Sequence, residues 1–311
     1  MADNDQNIDE LTQEQKVLIL QLFKNGVYKN NNNVTIVGVL NEIDVEEREK
    51  DGRKYVSGTI KIQTGEDNVI PVNVFSFEKT KKNTANPSYT QIMSVCEKGV
   101  SMAAVNGDMT KATKVRASGI RIEENMYVSR FSNQVVSTIR LNGSFFTLNA
   151  ADDSKAHFNC GIYISGIKEE VTSDGEETGR LIIEGLVEQY NRWDKLTFIA
   201  ESKQAVEYIQ SNWAVGDTVS VSGKIVDKTI TQKVSTESAG GFGEPEEEIR
   251  TYHRIEYVIT SGSEPKEEEF AYDGDRVKEG ISDRERRRAE LLEGNKSKPV
   301  AAKSNDDDLD F

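Results

Sequence analysis

Two stretches of this chain, about 128 residues apart, carry the same marks in the same order. Gly38-Val39-x-x-Glu42-Ile43 returns as Gly166-Ile167-x-x-Glu170-Val171. An Asp-Gly turn follows each, Asp51-Gly52 and Asp174-Gly175, then an Arg and a Gly, Arg53 with Gly58 and Arg180 with Gly185. Ser118-Gly119 and Ser222-Gly223 come later in each copy. No one match is specific, but the shared order predicts a duplicated unit, since self-similarity at a fixed offset marks repeated architecture. The alternative is two unrelated β-rich units.

The periodicity says what each unit is made of. VTIVGVLNEI, YVSGTIKI and NVIPVNVFSF alternate or are β-branched, and Asp51-Gly52 and Gly65 punctuate them as hairpin turns do. A short helical pattern with Tyr89, Ile92 and Cys96 on one face follows, and then the strand-like runs KVRASGIRI and VVSTIRLNGSFF. The second copy continues with LTFIA, a helix with Val206, Ile209 and Trp213 at core spacing, and DTVSVSGKI. Three strands, a helix and further strands is the order of a five-stranded Greek-key OB-fold. The expected fold is therefore mainly β, two tandem OB-fold-like Greek-key barrels, with the first over 28–150 and the second over 151–262.

The flanks read differently. Thr12 with Gln15, and Leu18/Leu22 with Ile19/Phe23, predict an N-terminal helix within 1–27, ended by Gly26. Residues 230–250 contain a long insertion, SAGGFGEPEEE, too polar and glycine-rich for a strand. Residues 263–293 read as a charged connector followed by a helix over 275–293, whose run Arg284, Arg286, Arg287, Arg288 is expected to be a solvated face. The composition of 294–311 predicts a disordered tail with an acidic tip.

Composition excludes several chemistries. Cys96 and Cys160 are too far apart for a metal knuckle, and two histidines give almost no material for a zinc site or a triad. No phosphate-loop, nucleophile-elbow or HExxH spacing occurs, so an enzyme, a cofactor and a metal are not expected. No apolar run reaches membrane-spanning length, and the acidic beginning MADNDQNIDE is unlike a signal peptide, so a cytoplasmic location is expected.

Net charge is −14, which argues against general attraction to polyanions, yet its distribution is uneven. Residues 28–150 hold 16 Lys+Arg and 13 Asp+Glu, whereas 151–262 hold 11 and 20. The first unit is the net-basic one. Binders of single strands interleave cations with aromatic faces, because phosphates need positive charge and unpaired bases need a flat partner. In FSFEKTKKN, Phe75, Phe77, Lys79 and Lys81 share one parity. With Lys82, Arg53, Lys54, Tyr55, Lys61, Arg116, Arg121, Tyr127, Arg130 and Phe131 they form the candidate nucleic-acid set of this unit. The competing reading turns Phe75 and Phe77 into the core. In the second unit, Tyr190, Arg192, Trp193 and Lys195 surround a turn, where Trp193 either offers a stacking platform or closes the barrel end.

The final residues Asp306-Asp307-Asp308-Leu309-Asp310-Phe311 resemble the acidic, Phe-terminated tip of bacterial-type single-stranded-DNA-binding proteins. Asp310 stands where that family usually has Pro, and the tandem barrels depart from its usual single barrel; a divergent phage-encoded member would account for both. The resemblance implies coating of exposed single-stranded DNA in replication and recombination. It also implies recruitment of partner enzymes through Asp306, Asp307, Asp308, Leu309, Asp310 and Phe311. The rival expectations are a protein-binding adaptor or a structural virion protein with no nucleic-acid binding.

Overall fold

The structure is a computed structural model, in which residues 32–172, 175–189, 192–236 and 246–296 are described. The expected helix within 1–27, Tyr190 and the acidic tip lie outside these residues. The fold is mainly β, with eleven strands in one continuous sheet and three α-helices among the described residues. In chain order these are β1 Asn33–Lys50, β2 Arg53–Gly65, β3 Asn68–Phe77, α1 Pro87–Lys98, β4 Lys114–Val128, β5 Val135–Asn142 and β6 Phe145–Leu148. There follow β7 Lys155–Val171, β8 Glu177–Gln189, β9 Arg192–Ala200, α2 Lys203–Asn212, β10 Thr218–Thr236, β11 Glu246–Gly262 and α3 Gly274–Lys296.

The pairings close into two rings. In the first, β1 pairs β2, β2 pairs β3, β3 meets β5 in parallel at Asn73 and Asn142, β5 pairs β4, and β4 returns to β1. In the second, β7, β8, β9, β11 and β10 repeat that order, again with one parallel contact, Ile199 with Val258. The repeated glycines have a physical reason. A Cβ on Gly38 would lie 2.2 Å from the Gln63 carbonyl oxygen, and one on Gly58, at φ +154°, only 2.0 Å from that of Asp44. Strands that coil this tightly need a residue with no side chain where backbones touch.

α1 and α2 occupy the same place in their rings, between the third and fourth strands. Asn86 caps α1 by accepting from Ser88 N–H at 3.2 Å, and Pro87 fits a first turn where no N–H is needed. Ser202 caps α2 through Ala205 N–H. Ile92 and Val95 of α1 and Ile209 of α2 enter a single apolar core shared by both rings, centred in the second on Phe158, Phe198 and Tyr257. The rings are joined where Asn33–Val37 of β1 pairs Lys155–Asn159 of β7. Asn68 adds a second tie, donating to Ile225 C=O at 3.1 Å and accepting from Asp227 N–H at 2.6 Å.

Two expectations about the chain's course are corrected. Of the insertion SAGGFGEPEEE only Glu246–Glu248 are described, and they begin β11, with Glu246 paired to Thr236 of β10 in a long hairpin; the rest of that segment lies outside the described residues. A backbone ladder forms there without the apolar alternation by which strands are recognised in sequence. VVSTIRLNGSFF is not one strand but two, broken at Gly143 and Ser144, because β6 leaves β5 to pair the beginning of β4.

Candidate nucleic-acid interface

Along β3 the buried residues are Ile70, Val72, Val74 and Ser76, so the alternation turns Phe75 and Phe77 outward. The register sets Tyr55 opposite Phe77 and Ser57 opposite Phe75. Three rings gather there: Tyr55 to Phe75 is 5.5 Å between centroids, Tyr55 to Phe77 is 5.9 Å and Phe75 to Phe77 is 5.2 Å. Phe75 is 57% exposed, although Phe is among the residue types most often buried. The Arg53 guanidinium lies 4.1 Å from the centroid of Phe77, held by the ring's negative face. This is an aromatic floor with a cation at its edge.

The lysines Lys79, Lys81 and Lys82 are exposed on the tight loop that leaves β3, closed by Thr80 N–H donating to Thr84 C=O at 2.8 Å. They sit on a turn beyond the strand, not on its face. Arg121 is exposed on β4, whereas Tyr127, Arg130 and Phe131 stand on the far part of the β4–β5 hairpin, with Phe131 fully exposed. Three other candidates are already engaged. Lys61 donates to Glu42 at 2.6 Å, Arg116 meets Asp152 at 3.3 Å and Lys54 meets Glu47 at 3.6 Å. All three pairs are solvent-accessible, so they are weak and exchangeable.

Matching the ladders of the two rings at Gly58 and Gly185 places Ile182, Thr197 and Ile199 where the first ring has Tyr55, Phe75 and Phe77. The second ring has no aromatic floor there. Its counterpart of Arg53, Arg180, is held between Glu170 at 2.9 Å and Glu256, which also meets Arg254. Burial pushes the Glu256 carboxyl up, but the two guanidiniums outweigh it and keep the group below its usual range.

In the second unit the stacking-platform reading is corrected for Arg192, Trp193 and Lys195, while Tyr190 lies outside the described residues. Trp193 is 7% exposed, packed with Leu186, Val277, Tyr163 and Tyr272, its ring 5.2 Å from that of Tyr272. It offers no open face for a base because α3 lies on it. Arg192 bonds Glu123 at 2.8 Å and Asp194, and Lys195 bonds Glu184 at 3.0 Å, so neither flanks a stacking platform. The arginine run of α3 is likewise more than a solvated face. Arg284 forks onto the buried Glu124 and Arg287 donates to the Trp193 carbonyl, while Arg286 and Arg288 remain exposed. Sequence reading missed Glu124 and Asp194, two buried acids whose only signal was to stand in strands at inward positions.

Among the described residues no group of His, Cys, Asp and Glu is placed to hold a metal ion, and no helix is long and apolar enough to cross a membrane. No curated protein matches the chain. Among solved structures, a deletion variant of the single-stranded DNA binding protein from Thermus aquaticus shares 14% identity over 76% of this chain and 95% of its own, with a TM-score of 0.43. The wild-type Thermus aquaticus protein gives 12% identity, 76% and 93% coverage and a TM-score of 0.42. A replication protein A heterotrimer bound to single-stranded DNA gives 14%, 76% and 52%, with a TM-score of 0.21. All three are loose likenesses. The family model YorF matches residues 30–298, through both rings and α3, and the chain belongs to the YorF family.

Proposed function

We propose that this protein binds single-stranded DNA without sequence preference, on the first ring. The observation that carries the reading is the cluster of Tyr55, Phe75 and Phe77 turned to solvent on β2–β3, with Arg53 stacked at its edge and Lys79, Lys81 and Lys82 beside it. Rings give unpaired bases a surface and lysines give phosphates a counter-charge. In this reading each ring is an OB-type barrel, a fold that takes oligonucleotides on its second and third strands and between its first and fourth hairpin loops. Those loops are here the Asp51-Gly52 turn and the Ser129–Gln134 turn that carries Arg130 and Phe131. The two units are 28–150 and 151–262; the second, with 20 acids against 11 bases and no aromatic floor, is a scaffold. The role is coating strands during replication or recombination in the cytoplasm, without catalysis, with the tip Asp306–Phe311 recruiting partner proteins.

The test is a titration of the full chain with a labelled oligonucleotide, as single strand and as duplex, at two salt concentrations. If four to six phosphates are neutralised, log affinity for the single strand falls with log salt at a slope of about −3 to −4. Duplex binds far more weakly, since paired bases present no free face. Equal affinity for the two forms overturns the reading; an RNA strand of the same sequence sets the sugar preference.

A further inference from the structure

The distal β4–β5 hairpin has no core of its own. From Asn125 to Thr138 not one residue is buried, although the strands below it run through Ile120, Ile122 and Leu141 in the core. At the point where the hairpin leaves the core stands Glu124, whose side chain is wholly buried. A carboxylate in that position must be fully hydrogen-bonded to persist. It accepts from Arg284 Nε at 2.9 Å and Arg284 Nη2 at 2.6 Å, from the Ser137 hydroxyl, and from Lys195 N–H at 3.1 Å. Its own N–H donates to Asp194 at 3.1 Å. One side chain thus gathers β4, β5, β9 and α3.

The guanidinium comes from 160 residues along the chain, on a helix seated on the second ring through Val277 and through Arg276, which bonds Glu188. We propose that α3 is a strut that sets where the β4–β5 hairpin stands, with Glu124 and Arg284 as positioning residues for Tyr127, Arg130 and Phe131. An event on the C-terminal segment that shifts α3 is thereby transmitted to the first ring's binding surface. The part that concerns binding rests on the single-strand reading above; the mechanical part does not.

The test uses the full chain with Arg284→Met, which keeps an unbranched apolar stem and removes the fork, and with Glu124→Gln, which keeps an acceptor and removes the charge. Hydrogen exchange is followed at residues 125–138 and, as reference, at 55–77. Both variants are expected to speed exchange in the hairpin and leave the reference strands unchanged. Affinity for a single-stranded oligonucleotide is expected to fall by the same factor as in Phe131→Ala, between about 5- and 150-fold for one lost stacking contact. Arg284→Met combined with Phe131→Ala is expected to fall no further than either alone. Unchanged hairpin exchange in the variants overturns the strut, as does a double variant whose losses multiply. If Arg284→Met fails to fold by circular dichroism, Glu124→Gln decides alone. If the unmodified chain binds no oligonucleotide, the single-strand reading fails, while the exchange result still decides the strut.

Discussion

Replacing Gly280 with alanine sets two effects of known sign against each other on one helix. In the interior of an exposed helix the change gains about 0.8–1 kcal/mol, because alanine loses less backbone freedom on folding. Gly280, however, is buried against Trp193, and its new methyl carbon would sit 2.3 Å from the indole Cγ and Cδ1. Carbon atoms meet comfortably at about 3.5–4.0 Å, so more than 1 Å must be found. The indole is buried among Leu186, Tyr163 and Tyr272, so it has little room to turn aside and α3 must lift. Forced overpacking of this kind costs about 1–3 kcal/mol. The expected net effect is a loss of up to about 2 kcal/mol, with the Arg284–Glu124 fork loosened as the helix rises. Gly294 of the same helix is the control, since a Cβ there has nothing within 4 Å. Gly294→Ala therefore gains the propensity term alone, up to about 1 kcal/mol. Urea unfolding followed by circular dichroism measures both, and hydrogen exchange over 274–296 reports the lifting directly. A Gly280→Ala chain as stable as Gly294→Ala refutes the close seating of α3 on Trp193.

Further outcomes concern the binding face and the buried carboxylates. Phe75→Ala leaves stability within about 0.5 kcal/mol, because the ring is mostly exposed. In fluorescence anisotropy it weakens single-strand binding by about 1–3 kcal/mol, whereas Thr197→Ala at the matching place in the second ring changes nothing. Replacing Lys79, Lys81 and Lys82 together by alanine flattens the salt slope by about 2, at roughly 0.7 per phosphate contact, and an unchanged slope would show that phosphates pass elsewhere. Glu124 responds to burial, which raises its pKa, but the Arg284 fork and the Ser137 and Lys195 donors hold it below its usual 4.5. A carboxyl lowered on folding stabilises the fold fully above its unfolded pKa and loses that contribution as pH falls through the folded value. The stability difference between the unmodified chain and Glu124→Gln should therefore shrink between pH 7 and pH 3; a constant difference in urea midpoints would remove Glu124 as the acid-sensitive group.

Much of the β architecture was legible because strand signals are local. Alternation in VTIVGVLNEI and NVIPVNVFSF, the Asp-Gly turn at 51–52 and the glycines of the repeat all act within one strand or its neighbour. Parity likewise showed that Phe75 and Phe77 share a face, but parity is blind to which face is wet. That was decided by Val72 and Val74 packing inward with the strands around them. Polar β10 beyond residue 230 escaped recognition because its pairing with β11 depends on backbone groups that every residue carries. The platform reading of Trp193 and the solvated reading of the arginine run failed for one shared reason. Flanking cations around Trp193 and a charged helix both look solvated in sequence, yet α3 covers the indole and its arginines meet Glu124 and Asp194 across the fold. Local order determined which strands exist and which residues alternate. Only the tertiary structure brought charges from distant segments together, because the desolvation that makes a buried carboxylate demand a guanidinium exists only once the chain has closed around it.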